Sequence, residues 1–180
     1  MADVKHLTMT ELEAGLDDIR QSPKDSGILE LIVRRPGIGE REIVEAAALD
    51  LAEGLVGDNW KTRGNTPNPE TQITLTNARA TALMAQDKSR WSLAGDQLYV
   101  DFDLSTENLP PGTRVSIGSA VLEVTPVPHT GCKKYVERFG LDAMKFVNSP
   151  VGKAMNLRGI NARVVQAGEI RSGDPVQKMQ

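Results

Sequence analysis

A single cysteine, Cys132, stands in the segment Pro126-Val127-Pro128-His129-Thr130-Gly131-Cys132-Lys133-Lys134. The prolines close a β-branched run and the lysines open a helical one, which places the thiol at or near a helix N-terminus. There the helix dipole and the charges of Lys133, Lys134 and His129 favour the thiolate, the form that attacks sulfur compounds or ligates a soft metal. The plainer reading of a lone cysteine is a small, buried, apolar side chain. A polar loop with two lysines is what keeps the reactive reading open. With one cysteine in the chain, an intramolecular disulfide and a Cys-rich structural zinc site are both excluded.

Other chemistry-bearing residues stand near turns. His129 is a candidate to orient or deprotonate a partner, against the alternative of a surface histidine in a Pro-flanked loop. Asp58, after Gly54-Leu55-Val56-Gly57, is placed either to accept hydrogen bonds from a ligand or to bond its own backbone in a turn. Arg158 and Asn161 flank Gly159, which would let backbone approach a ligand, and an arginine fork suits phosphate. Two exposed cations, Arg158 and Arg163, at a strand end are the equal alternative. Asp101 and Asp103 share a strand face, which reads as solvated rather than as an acid pair. No Ser-His-Asp order, phosphate-binding P-loop, dinucleotide fingerprint or H-E-x-x-H zinc motif occurs.

The elements that must carry these residues are short. Thr10-Glu11-Leu12-Glu13 matches a capping box, and Leu12, Leu16 and Ile19 follow at helical spacing, so residues 10–21 read as an amphipathic helix. Residues 28–33 and 42–46 read as strands on either side of Pro36-Gly37, and 54–68 as a long loop of the kind that carries function. A strand at 72–75 leads into a helix at 78–84 capped by Asn77. Alternation of Leu98, Val100, Phe102 and Leu104 predicts a half-buried strand. Val115, Ile117, Leu122 and Val124 around Gly118-Ser119 predict a hairpin with a type II′ turn. Helices follow on both sides of Gly140, and Ser149-Pro150 opens another. Residues 158–165 and 169–176 read as closing strands, the second interrupted by the Gly173-Asp174 turn. Many short strands with a few helices and no βαβ series predict a β-rich, mixed α+β or barrel architecture.

Composition bounds the rest. A chain of 180 residues with 39% hydrophobic and 25% charged residues is one domain in size, and 4% aromatics leaves the core to aliphatic side chains. A net charge of −3 argues against general nucleic-acid binding. No apolar run is long enough to span a membrane, and the N-terminus has no secretory pattern, so the expected location is cytoplasmic.

Taken in order, several segments resemble the MOSC family, the domain named for the C-terminal part of molybdenum cofactor sulfurases. They are Gly54-Leu55-Val56-Gly57-Asp58, Gln72-Ile73-Thr74-Leu75, Thr106-Glu107-Asn108-Leu109, Pro111-Gly112-Thr113 with Ile117-Gly118-Ser119-Ala120, the cysteine segment, and Arg158 to Val165 ending in Gly168 and Gly173-Asp174. The match spans roughly residues 28–178. The resemblance implies a closed β-barrel with short peripheral helices over residues 28–180, preceded by a helical extension over residues 1–27. It implies a pocket in which Cys132, beside His129, ligates the molybdenum of a molybdenum cofactor (molybdopterin) or carries a persulfide. Lys133, Arg158 and Asn161 are the implied donors to pterin phosphate and oxo groups, with Asp58 and Asn108 at the rim. The family is also associated with pyridoxal phosphate. The functions implied are reduction of N-hydroxylated small molecules with electrons from separate redox partners, or sulfur carriage from a cysteine desulfurase. A non-catalytic binding barrel in which the cysteine only packs is the third reading.

Overall fold

Strand β1 (Ser26–Arg34) explains why the molecule has two cores. In the computed structural model, which describes residues 4–180, β1 pairs with β6 (Leu98–Asp101). Leu29 lies opposite Val100 and Leu31 opposite Tyr99, so Glu30 is an extra residue, a β-bulge. One extra residue reverses which side chains face which side. Leu29 and Ile32 therefore join one apolar cluster, and Leu31 and Val33 join another on the opposite face.

The first cluster fills a closed barrel. Its strands run in the order β1, β11 (Pro175–Lys178), β7 (Arg114–Ile117), β8 (Ala120–Val124), β9 (Ile160–Gln166), β5 (Ile73–Asn77) and β6, which returns to β1. All neighbours are antiparallel except β5 and β6. That parallel pair requires a crossover, made by α3 (Ala78–Ala85) and a 3₁₀ stretch at Lys88–Ala94. Phe102 is the one aromatic side chain in the barrel cluster, and the rest is aliphatic. The β7–β8 hairpin turns at Gly118 with φ 55°, the sign a type II′ turn needs at that position. A Cβ at Gly118 would stand 2.2 Å from the Glu169 carbonyl oxygen. Outside the ring, β2 (Glu42–Val44) extends β1, and β3 (Ala46–Asp50), β4 (Gly54–Leu55) and β10 (Gly168–Arg171) form a separate small sheet.

The second cluster lies between the barrel wall and the helices. Leu12, Leu16 and Ile19 from α1 (Met9–Ala14) and α2 (Leu16–Arg20) meet Met84 of α3, Trp91 and Tyr99. Tyr135 and Phe139 of α4 (Lys133–Phe139) and Phe146 of α5 (Leu141–Asn148) complete it. Short α6 (Pro150–Ala154) is capped by Ser149, whose hydroxyl accepts from the Gly152 N–H. The fold is thus the β-rich barrel with peripheral helices that the sequence pattern predicts.

Three local expectations need correction. The first helix is two, broken at Gly15, where a Cβ would lie 2.5 Å from Leu83, and its capping box is Thr8 with Glu11. The 42–46 strand divides into β2 and β3, which serve different sheets; the 169–176 strand breaks at the expected Gly173-Asp174 turn into β10 and β11, which also serve different sheets. The alternating strand from Leu98 stops at Asp101, and its second face is only partly solvated: Tyr99 is fully buried under the helices while Asp101 is half-buried. Asp101 is held by Arg79 Nε at 2.8 Å. The first three residues of the helical extension lie outside the described residues.

Candidate functional site

Eight residues outside helix and strand, Thr125 to Cys132, two of them prolines, carry the chain from β8 to α4. Neither Pro126 nor Pro128 has an N–H to extend a ladder, so the strand must end here. What holds the resulting loop is a set of amides. Asn161 of β9 donates to the Val127 carbonyl at 3.0 Å, and Asn148 of α5 clamps Gly131 by accepting from its N–H and donating to its carbonyl. Cys132 takes the N-cap position of α4 with extended backbone and no cap hydrogen bond from its side chain, and the residue is exposed. Cys132 belongs to neither buried apolar cluster.

Cys132 opens onto a cleft of about 590 Å³ whose lining is strongly cationic: Arg35, Arg41, Arg63, Lys134, Arg138 and Arg158, with Glu40 as the lone carboxylate. Two of these cations are neutralised within the fold. Arg35 forms a two-pronged pair with Asp58, Nε to Oδ1 at 2.9 Å and Nη2 to Oδ2 at 2.8 Å. Arg158 pairs with Asp96 at 2.6 Å. Among the described residues, Arg41, Arg63, Lys134 and Arg138 have no acidic partner. Burial, then the charges of Arg138 and Arg35, push the Arg41 guanidinium below its ordinary value; burial and Arg35 do the same to Arg63. Arg41 Nε is also buried without a hydrogen-bond partner. Like charges gathered against solvation in this way are stabilised by an anion.

A second cavity of about 510 Å³ adjoins the first, with Leu109, Val124, Val147 and Ile160 on its apolar wall and Lys153 at its edge. Val127, Pro128, His129, Arg158 and Asn161 line both spaces.

The expected site residues distribute unevenly. Cys132, His129, Arg158 and Asn161 converge on the cleft. The Asp58 carboxylate is completely buried and directs Arg35 toward it; it also accepts from the Trp60 N–H two residues on, as the turn reading expects, and from Gln97. Lys133 is exposed and does not line the cleft, while its neighbour Lys134 does. Asn108 lies at neither cavity: its amide donates to the Lys24 and Asp103 carbonyls and its oxygen accepts from Lys178. Arg158 spends both terminal nitrogens inside the fold, on Asp96 and on the Ala94 carbonyl, and stacks over Tyr135 at 5.0 Å. Sequence reasoning missed Arg35, Arg41, Arg63, Arg138 and Asp96, and named Lys134 only for its charge beside the thiol. The signal available for the first three was their position beside Gly- and Pro-rich turns.

Comparison with known proteins places this architecture. The family model described as MOSC domain matches residues 69–177. No curated protein is matched in sequence. Among solved structures, the chain is similar to the YuaD protein of Bacillus subtilis, with 18% identity and a TM-score of 0.58 over 86% of this chain and 97% of that one. It is similar to YiiM from Escherichia coli at 19% identity and TM-score 0.56, over 85% of this chain and 70% of the other. YiiM from Geobacillus stearothermophilus gives 14% and 0.53, over 87% and 74%. No helix among the described residues is long and apolar enough to cross a membrane.

Proposed function

The chain belongs to the MOSC domain family, and from that premise we propose that it binds the molybdenum cofactor in the cationic cleft, with the Cys132 thiolate as protein ligand to the metal. The observation that carries this reading is one exposed thiol opening onto a cleft whose cations outnumber its carboxylates. The donor set fits the group. A thiolate is a soft ligand, and one ligand alone leaves the remaining positions to the cofactor's own sulfur and oxygen. Arg41 Nε, buried and unpartnered, and the unpaired Arg63, Lys134 and Arg138 suit a phosphate or oxo group. Arg35 would lend its charge while Asp58 holds it in place.

When bound, the metal supplies two-electron redox chemistry, the class of reaction that reduces an N-hydroxylated compound. The chain's own part is to bind and orient. Asn161 and Asn148 fix the loop that presents the thiol, and the apolar wall of the second cavity offers room for an organic substrate beside the shared side chains. Electrons would come from separate redox partners.

The exposure of Cys132 also favours a second reading, in which it accepts a sulfane sulfur from a cysteine desulfurase and passes it on. Protein purified without oxygen from a host that makes the cofactor distinguishes the two. Near-stoichiometric molybdenum that falls at least about tenfold in Cys132→Ala supports cofactor binding. Metal unchanged by the substitution rejects Cys132 as ligand, and a reductant-labile extra sulfur on Cys132 without metal selects the carrier.

A further inference from the structure

Asp96 lies in Ala94-Gly95-Asp96-Gln97, which reads in sequence as a turn before β6, and the folded chain buries it completely. One carboxylate oxygen accepts from Arg158 Nη1 at 2.6 Å and the other lies 2.7 Å from His129 Nε2. Burial by itself would raise this carboxyl, but Arg158 and His129 outweigh it and hold it at about 2. An ionised carboxylate has no hydrogen to give, so the hydrogen between them belongs to Nε2. Turning the ring over would set carbon Cε1 against Oδ1 and forfeit the bond, so the ring orientation is fixed.

Cδ2 faces Gly159, 3.1 Å from where a Cβ at that residue would stand. The Nε2–Cδ2 edge is therefore turned inward. Nδ1 has no partner among the described residues, yet it is not among the buried unpartnered atoms, which are Arg41 Nε, Asn59 Oδ1, Tyr99 OH and Arg158 Nε. His129 retains 19% side-chain exposure and stands on the wall shared by both cavities. Nδ1 thus keeps solvent exposure on a side chain that lines both spaces.

We propose that His129 exchanges a proton with the molecule bound in the cleft through Nδ1, its neutral ring keeping its own hydrogen on Nε2 toward Asp96, and that Asp96 and Arg158 are positioning residues. This deepens the reading above and rests on it only for the identity of the bound molecule. In reduction of an N-hydroxylated compound, two electrons from a separate reductant and two protons convert N–OH into N–H and water. The N–O bond breaks, the departing oxygen takes a proton from the Nδ1–H of the imidazolium to leave as water, the nitrogen takes the second proton from solvent, and the ring returns to neutral with its lone pair on Nδ1. Asp96 balances the imidazolium charge before that transfer. Arg158 accordingly acts through Asp96: Nη1 keeps that carboxylate ionised and Nη2 is held by the Ala94 carbonyl.

Nitrogen-15 spectra of the metal-free protein test the proton placement without any cofactor. The chain has two histidines, so His129→Gln assigns the signals. In the neutral ring, Nε2 should be protonated with a slowly exchanging hydrogen and Nδ1 unprotonated. In Asp96→Asn that hydrogen should exchange at least about tenfold faster. Diethyl pyrocarbonate, which acylates an unprotonated imidazole nitrogen, should modify His129 at Nδ1. A wild-type ring protonated on Nδ1, or acylation at Nε2, overturns the proposal, and this arm stands if Asp96→Asn does not fold. In loaded protein, His129→Gln should lower kcat by about 100-fold or more with metal content and KM little changed; an unchanged kcat refutes the proton transfer. Absence of metal would sink the cofactor reading and leave the spectra to decide this one.

Discussion

Replacing Asp96 with Ala removes the counter-charge of Arg158, whose side chain is 9% exposed and fixed between the Ala94 carbonyl and the Tyr135 ring. The guanidinium cannot swing to water without giving up both contacts. Stranding a buried charge of this kind costs about 3–5 kcal/mol. For a chain of this size that lowers Tm by roughly 6–20 °C. Asp96→Ala/Arg158→Met removes both charges and fills the space with an apolar stem, so its loss should be below about 2 kcal/mol. The two substitutions should therefore couple by more than about 1 kcal/mol in a double-mutant cycle read by urea unfolding of the metal-free protein. The same pair makes stability depend on acid. The folded pKa of Asp96 is depressed from 3.8 to about 2, so its contribution is present above pH 4 and is lost as pH falls from about 4 toward 2. That difference is worth about 2 kcal/mol, and the double variant should lack this part of the acid limb. A single substitution costing under about 1 kcal/mol, or a double equal to the sum of its parts, would refute the reasoning.

Other outcomes follow from the same structure. Arg63→Gln removes an exposed cation from a like-charged cluster, so stability should stay within about 0.5 kcal/mol while the Tm gain from added inorganic phosphate shrinks; an undiminished phosphate effect would remove Arg63 from the anion site. Leu12→Ala empties a fully buried position between α1 and the helical layer and should cost about 2–5 kcal/mol in urea unfolding; a loss under 1 kcal/mol would mean that the N-terminal helices contribute little to the second core. Gly118→Ala places a Cβ against the Glu169 carbonyl at a positive φ and should destabilise the protein by more than about 1 kcal/mol in thermal melts.

The barrel was legible because period-2 alternation and turn chemistry act locally. The hairpin at Gly118 and the strand–helix step at Asn77 follow from residues adjacent in sequence. The bulge at Glu30 was not, since it is defined by pairing with β6, some 70 residues away. Nor was the separate small sheet, because nothing in residues 42–50 or 168–178 says that neighbouring strands serve different partners. At the site, Cys132 announced itself by its loop and its lysines. Asp58 and Arg158 read as ligand contacts, and the fold spends much of their bonding on other protein groups instead. The cations that fill the cleft come from four separate segments, so only folding assembles their charge. Asp96 was hidden behind a Gly-Asp turn, a pattern far commoner as punctuation than as a buried ion pair.

The most direct measurement of the central claim is molybdenum X-ray absorption on the loaded protein beside Cys132→Ala loaded in the same way. The account predicts one more sulfur neighbour at the metal in the wild type than in the variant. Equal sulfur counts, with equal metal content, would contradict Cys132 as the ligand.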